Sequence, residues 1–165
     1  MITRGLLLAG ALLVFGTVNW QIAAKERLRT NGQTVYLELA PIDPRSLLQG
    51  DYMALNFRVA RSISERVNPE ASGPHVAILK LDPRRVGTYL RIEDGTPLQA
   101  DELRFRFRMR KGGVWLGTNA FFIQEGDAER YNAARYGEFR VNVKGEGMLV
   151  DLRTEQSLSN RAADK

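Results

Sequence analysis

The sequence contains no cysteine and only one histidine, His75. Without a thiol, the chain cannot form a disulfide framework, a thiolate nucleophile or a zinc–thiolate site. One histidine also excludes a metal site with several histidine ligands, so we expect neither a metal nor a cofactor. The sequence has no phosphate-binding loop and no dinucleotide fingerprint, which removes two common kinds of evidence for an enzyme.

Positive charge exceeds negative charge in this chain. Its 165 residues include 24 lysines and arginines against 19 aspartates and glutamates, which gives a net charge of +5. Such a balance favours contact with anionic surfaces, either lipid headgroups or nucleic acid. With 44% hydrophobic and 26% charged residues, the composition is that of one ordinary folded domain with a short additional segment.

Near the amino terminus, an uncharged run reads GLLLAGALLVFGTVNWQIAA, residues 5–24. A helix over this run would be about 30 Å long at about 1.5 Å per residue, which matches the hydrocarbon core of a bilayer. We predict an uncleaved transmembrane helix with Trp20 at the membrane interface. A cleaved secretory signal peptide is the alternative, but Ile22 stands where its cleavage site needs a small residue.

The orientation of this anchor depends on basic residues at both of its ends. Arg4 precedes the run, and Lys25, Arg27 and Arg29 follow it. The charge count slightly favours a cytoplasmic domain, whereas a short basic amino terminus is typical of a signal anchor that exports the following chain. These two arguments nearly cancel, and we expect the folded domain outside the cytoplasm.

From about Thr34 onward, apolar and polar residues alternate with the period of two that indicates half-buried strands. The clearest example is ELRFRFRMRKGGVWLG, where an alternating run leads into the pair Gly112-Gly113 and predicts a β-hairpin. The apolar positions are Leu103, Phe105, Phe107 and Met109, and the polar positions are Arg104, Arg106, Arg108 and Arg110.

Four arginines on one strand face cannot all be buried without partners. We therefore expect them to face water or acidic side chains, or else to contact lipid headgroups or an acidic partner. Phe105 and Phe107 point to the opposite face, so they cannot stack nucleic-acid bases beside the arginines. For this reason we expect no nucleic-acid binding.

Four other segments carry strand patterns: TVYLELA, YMALNFRV, HVAILKL and EFRVNVKGEGMLVDL. HVAILKL is mostly apolar and suits a central strand, and the last segment contains a turn from Gly145 to Gly147. One helix is expected in EGDAERYNAARYGE, with Asp127 as its N-cap and Gly137 as its C-terminal end. The segment SISERVNPEASG, residues 62–73, has the composition of a polar connection.

Together these segments predict a mainly β fold. We expect either a small antiparallel barrel or a two-layer sheet with one short docked helix, preceded by the transmembrane helix. The predicted order is a short amino-terminal segment, the anchor, a juxtamembrane linker, the strand-rich domain and a flexible polar tail. Their boundaries are residues 1–4, 5–24, 25–33, 34–156 and 157–165.

The stretch GDYMALNF, residues 50–57, resembles the signature of the GDYXXLXY family of small bacterial membrane-anchored proteins. Gly50, Asp51, Tyr52 and Leu55 match the signature, and Phe57 stands where it has its final tyrosine. The likeness continues in LELAPIDPRSLLQ upstream and in FFIQEGDAERYNAARYGEFRV downstream. It implies an inner-membrane protein of unknown activity, with a periplasmic domain and a polytopic membrane protein as partner. The family offers no catalytic residues to transfer.

The signature stretch has both a structural and a binding interpretation. Gly50 can take a positive φ and Asp51 can accept backbone hydrogen bonds, so the pair can aim a strand. Leu55 and Phe57 then share an inward face and belong to the core. The alternative is a partner-binding patch formed by Asp51 and Tyr52 with Arg45, because loops often carry function.

An enzyme is the second interpretation of the whole chain. PRSLLQGDYMAL is similar to the strand entry of bacterial signal peptidases, but Pro41 or Ile42 takes the place of the catalytic serine. The remaining nucleophile and base would be Ser46 and Lys80. We therefore expect a membrane-anchored accessory or interaction protein, with an envelope hydrolase of signal-peptidase-like fold as the alternative.

Overall fold

The computed structural model describes residues 2–40, 48–49, 52–67, 74–110, 113–118, 120–122, 131 and 133–163. Three of its helices have described bounds: α1 (Ile2–Asn31), α2 (Arg58–Ser64) and α3 (Glu155–Ala163). The strands are β1 (Gln33–Glu38), β2 (Leu48–Gln49), β3 (Tyr52–Ala54), β4 (Pro74–Leu81), β5 (Gly87–Ile92), β6 (Glu102–Arg110), β7 (Gly113–Trp115), β8 (Ala120–Phe122), β9 (Tyr136–Val141) and β10 (Gly147–Arg153).

The strands form three antiparallel sheets, with the orders β1-β9-β10, β2-β3-β8 and β5-β4-β6-β7. The mainly β, antiparallel prediction is therefore confirmed. HVAILKL corresponds to β4, which lies between β5 and β6 as the central strand that its apolar composition predicted. The hairpin of β6 and β7 also forms as predicted.

One hydrophobic core joins the sheets and α2. At its centre, the ring of Phe139 on β9 contacts Phe57 and Phe105 edge-on, with ring centroids 5.3 and 5.4 Å apart. Leu55 and Phe57 are 2% and 3% exposed, so the prediction that they belong to the core is confirmed. The other buried members are Val35, Leu37, Val59, Ile63, Ala77, Leu79, Leu103, Phe105, Phe107, Val114, Leu116, Phe139, Val141 and Leu152.

The strand predicted in YMALNFRV is shorter than its alternation suggested. Strand β3 ends at Ala54, and helix α2 begins at Arg58. Val59 and Ile63 lie four residues apart, one helical turn, and both are buried in the core. The prediction of a polar connection over residues 62–73 was therefore wrong for residues 62–64. These residues belong to α2, which packs on the core through Ile63.

The position of Gly137 also differs from the prediction. It does not end a helix, but lies within β9 between Leu37 of β1 and Leu152 of β10. A Cβ atom at this position would lie 2.8 Å from Cε1 of Phe57, so the glycine leaves room for that ring. Of the predicted helix, Tyr131 is helical, whereas Asp127 lies outside the described residues.

The carboxyl-terminal segment forms a helix where we predicted a flexible tail. Helix α3 packs on the outer face of the β1-β9-β10 sheet through Leu158, which is 3% exposed. Its neighbours in this second buried cluster are Tyr36, Val86 and Tyr136. Leu158 therefore provides an apolar contact between a mostly polar segment and the domain.

Helix α1 continues through most of the predicted juxtamembrane linker and ends at Asn31. Leu28 is buried against the domain, and Arg140 on β9 donates a 2.7 Å hydrogen bond to Thr34 just after the helix. Among the helices of the described residues, none combines the length and the apolar character that a membrane crossing needs. The transmembrane anchor therefore stays a prediction.

Candidate functional site

The signature stretch is only partly described. Arg45, Gly50 and Asp51 lie outside the described residues, so the proposed partner patch stays a prediction. Tyr52 is the first residue of β3, where its backbone pairs with Gln49 of β2 and with Phe122 of β8. The described part of the signature thus supplies a strand and two core side chains.

Lys80, the predicted base of the hydrolase alternative, lies on β4 in an exposed ion pair. Its Nζ is 3.6 Å from Oδ2 of Asp101, and its side chain is 57% exposed. A catalytic lysine is usually desolvated so that it loses its proton more easily. Ser46 lies outside the described residues, and the arrangement around Lys80 does not favour this pair.

His75 lies at the start of β4, as expected, and its ring stacks on Phe107 with centroids 5.4 Å apart. Within the part of the chain that the structure describes, no three His, Asp or Glu side chains are grouped closely enough to hold a metal. We therefore consider the charged faces and the grooves of the described surface as candidate sites.

The arginine face, formed by Arg104, Arg106, Arg108 and Arg110, is the outward side of β6. Arg104 pairs with Glu93, and Nη1 of Arg106 lies 3.1 Å from Oε1 of Glu146 in the turn between β9 and β10. The guanidinium of Arg110 stacks 4.1 Å from the centre of the Trp115 ring. Three of the four arginines thus have a partner within the domain.

Arg108 differs from its three neighbours. It is exposed, and its backbone lies between Pro74 of β4 and Trp115 of β7 in the sheet. Among the described residues, no carboxylate forms an ion pair with it. Arg108 therefore presents a guanidinium that is available for an anion from outside the domain.

The last third of α1 lies beside the arginine face, and an open groove of about 920 Å³ separates the two. We call this the basic groove. Helix α1 forms one wall, β6 and β7 form the second, and the start of β10 closes the third side. Its lining residues are Trp20, Gln21, Ile22, Ala24, Lys25, Glu26, Arg29, Arg106, Phe107, Arg108, Trp115, Gly117, Glu146, Gly147 and Met148.

Positive charge predominates in the basic groove, which has four basic and two acidic side chains in its lining. The two acids already face bases, because Glu26 lies 3.9 Å from Arg29 and Glu146 pairs with Arg106. The first pair is largely exposed and the second is about half exposed, so both are weak and screened by water. The groove is therefore suited to a small anion.

A separate polar cluster attaches α3 to the domain. The hydroxyl of Tyr136 donates a 2.6 Å hydrogen bond to Glu155, whose second oxygen lies 2.7 Å from Nη1 of Arg84. Burial raises the pKa of Tyr136, and the hydrogen bond to Glu155 adds to this effect. The hydrogen bond from Tyr136, followed by that from Arg84, lowers the pKa of Glu155. The cluster has satisfied partners and a structural role.

Sequence reasoning identified the four arginines of β6 but missed the groove that Arg106 and Arg108 line. Lys25 and Arg108 are 83 positions apart, and no spacing rule connects a helix boundary to a distant strand. The only signal in the sequence is the cluster of basic residues that follows residue 24, within the predicted juxtamembrane linker. The docking of α1 through Leu28 brings the two regions together.

The comparisons with known proteins agree with the resemblance in the signature stretch. The family model described as "GDYXXLXY protein" matches residues 14–152, which include the second half of α1 and all ten strands apart from the last residue of β10. No curated protein and no solved structure matches the chain. Because the family model covers most of its length, this chain belongs to the GDYXXLXY family.

Proposed function

We propose that this protein is a membrane-anchored accessory subunit, in which α1 holds the β domain at a bilayer surface. The observation that carries the proposal is the apolar surface of α1 beyond its docked end. Between residues 10 and 22, seven large apolar side chains are 47–73% exposed. They are Leu12, Leu13, Val14, Phe15, Val18, Trp20 and Ile22.

Such a surface is unfavourable in water. Soluble monomers rarely expose a continuous apolar patch larger than a few hundred Å², and larger patches mark protein or membrane contacts. The exposed residues surround the helix instead of forming one stripe, since Leu12, Leu13, Val14 and Phe15 are consecutive. A lipid environment covers all sides of a helix at once, which a single docking partner does not.

The polar residues within this part of α1 are compatible with lipid. Thr17 donates a 2.9 Å hydrogen bond to the carbonyl of Val14, and Asn19 donates one of the same length to Phe15. Bonds of this kind satisfy polar groups within the helix, which lowers the cost of placing them in hydrocarbon. Trp20 would then lie at the interface, and Lys25 would lie in the headgroup region.

The proposed position of the domain is outside the cytoplasm, in the periplasm of a bacterial cell. Support comes from the short basic amino terminus before the anchor and from the family resemblance. The proposed partner is a polytopic membrane protein, and the resemblance is again the support. In-cell crosslinking followed by identification of the captured protein would test this partner, with Tyr52→Ala as the variant expected to weaken capture if the signature patch contacts it.

The hydrolase alternative is less well supported. It requires a deprotonated lysine beside a serine, whereas the 57% exposed side chain of Lys80 pairs with Asp101. Substitution of Ser46 or Lys80 by alanine would abolish function if the alternative holds. An accessory protein would tolerate both substitutions.

The anchor is tested by extraction of membranes with alkaline carbonate. The full-length protein should stay in the membrane pellet, and the double substitution Leu13→Lys with Phe15→Lys should release it, because each lysine at a helix centre costs roughly 3 kcal/mol of insertion energy. Leu90→Lys is the matched control, since Leu90 is a 42% exposed apolar residue on β5. Release of the wild type by carbonate would overturn the anchor.

Orientation requires a separate measurement. A reporter fused after Lys165 that is active only outside the cytoplasm should give signal, and a reporter active only in the cytoplasm should give none. The reverse pattern would place the domain in the cytoplasm and leave the anchor itself unaffected.

A further inference from the structure

We infer that the basic groove binds the phosphate headgroup of an anionic phospholipid, so that the domain is held to the bilayer by a bound lipid as well as by α1. This inference rests on the proposed membrane anchor and adds a ligand class to it. The site joins side chains of α1 to side chains of β6, β7 and β10.

In the proposed orientation of α1, the groove lies at the level of the lipid headgroups. Its α1 wall runs from Trp20 to Arg29, and the uncharged run ends at Ala24. If the anchor spans the bilayer, the wall crosses the boundary between hydrocarbon and headgroups. Arg106 and Arg108 line the same groove, so the docked domain places them at this level.

Arg108 and Lys25 are the groove's available cations. Both are exposed, and neither forms an ion pair with a described residue. A guanidinium donates paired hydrogen bonds to phosphate oxygens, while an ammonium contributes a point charge. One phosphodiester between the helix and the strand would contact both cations. An anionic lipid keeps its net negative charge, whereas the ammonium of a zwitterionic lipid offsets it, and this gives the groove a preference for anionic lipids.

The apolar part of the lining suits the rest of a lipid. Trp20 and Ile22 lie at the membrane end of the α1 wall, and Met148 and Trp115 line the domain side. These side chains can contact glycerol and the first methylenes of the acyl chains. The volume of about 920 Å³ is within the range of roughly 300–1,000 Å³ that small ligands occupy in proteins.

An acidic protein loop is the competing occupant, and the geometry favours a lipid. The groove is open, half of its charged lining lies just after the proposed anchor, and Trp20 and Ile22 extend its lining toward the membrane. At that position lipid is present at very high local concentration, so even a weak site is filled.

The test uses the full-length protein in nanodiscs that contain phosphatidylcholine with a minor fraction of phosphatidylglycerol. Native mass spectrometry counts the lipids that stay bound to the protein when it is released from the nanodiscs. The wild type should retain the anionic lipid in excess of its share. Arg108→Gln and Lys25→Gln should each lower that retention about fivefold, the change that corresponds to about 1 kcal/mol for one basic residue.

Arg61→Gln is the matched control. Arg61 is an exposed arginine on α2 that does not line the groove, and it should keep wild-type lipid retention. Circular dichroism and thermal melting of each variant show whether the fold is intact. If Arg108→Gln unfolds, Arg108→Lys is measured in its place. Lysine keeps the positive charge, so a loss of lipid retention smaller than the roughly fivefold loss expected for Arg108→Gln supports the site.

Four results would overturn the inference. The first is equal retention of both lipids by the wild type, and the second is an equal loss with Arg61→Gln and Arg108→Gln. The third is unchanged lipid retention in Arg108→Gln together with lost crosslinking to a membrane protein, which would make the groove a protein contact. Displacement of the lipid by millimolar inorganic phosphate alone would assign the site to free phosphate instead.

Failure of this site and failure of the anchor give different results. A protein that carbonate releases from membranes contradicts the anchor and removes the basis of the lipid site. A protein that resists carbonate but shows no preference for anionic lipid contradicts the site alone.

Discussion

Strands β1 and β6 have the same alternation of apolar and polar residues, but the faces that carry their polar residues differ in burial. In β6, Phe105 and Phe107 are buried, whereas Arg106 and Arg108 between them are exposed. In β1, Val35 and Leu37 are fully buried, and Tyr36 on the opposite face is only 5% exposed. An alternating pattern therefore shows which face of a strand is apolar and which is polar. The neighbouring elements decide whether the polar face is exposed to water.

The cause of the difference lies in what packs outside each strand. Leu158 of α3 and Val86 cover Tyr36 on the outer face of β1. Outside β6, the end of α1 stands apart from the strand across the basic groove. The polar face of β1 thus became a second core, and the polar face of β6 became a candidate binding surface.

The largest expected effect comes from the inner face of β6. Phe105→Ala should lower the free energy of unfolding by about 3–5 kcal/mol, because it leaves a cavity beside Phe139 at the centre of the core. Arg106→Ala on the opposite face should cost at most about 1 kcal/mol, since its ion pair with Glu146 is about half exposed. Denaturant unfolding of the full-length variants in detergent micelles measures both values, and equal losses would mean that the two faces of β6 are assigned wrongly.

The outer face of β1 gives the next largest effect. Leu158→Ala should cost about 2–3 kcal/mol, because Leu158 is the buried residue through which α3 covers Tyr36. Leu90→Ala, at a 42% exposed site on β5, serves as the control and should stay within about 0.5 kcal/mol of the wild type. Thermal melting that does not distinguish Leu158→Ala from Leu90→Ala would contradict the second core.

A smaller effect is expected where β9 passes between the two cores. Gly137→Ala should cost about 1–3 kcal/mol, since the added methyl group would lie 2.8 Å from the ring of Phe57. Combination with Phe57→Leu should relieve part of this cost, so the two changes should not add in a double-mutant cycle. Additive losses would show that the ring and the glycine are not coupled.

The smallest expected effect depends on pH. Hydrogen bonds from Tyr136 and Arg84 lower the pKa of Glu155 below its ordinary value of 4.5. The stabilisation is therefore complete above the ordinary value and is lost as the pH falls through the lower pKa of the folded state. Melting temperatures between roughly pH 3 and pH 7 should fall less steeply for Glu155→Gln than for the wild type. Parallel curves would remove Glu155 from the attachment of α3.

Particular residues show how far the sequence could predict the fold. The strict alternation of β6 and the glycines after it determine a hairpin, because both signals are local. The same reasoning failed at Val59, because a spacing of four residues to Ile63 fits a helix while a spacing of two to Phe57 fits a strand. The local sequence predicts a helix end at Gly137, whereas its lack of a side chain leaves room for the ring of Phe57, 80 positions away.

The candidate site was less predictable than the fold. The sequence identified an arginine face and an apolar helix as separate features, each with a plausible anionic or membrane partner. Their meeting in one groove depends on the packing of Leu28 against the domain, which has no local signal. The signature stretch itself led mainly to the core, through Leu55 and Phe57.

By itself, the sequence determined the features that arise between near neighbours: the antiparallel strands, the inward side chains of β6, the uncharged run of residues 5–24 and the membership of the family. These follow from backbone periodicity and local composition. Only the tertiary structure decided that α3 buries the outer face of β1 and that α1 makes the arginine face into one wall of a groove. Contacts between distant segments depend on the shapes of surfaces that form only once the strands have paired. The sequence pattern within either segment therefore does not predict these contacts.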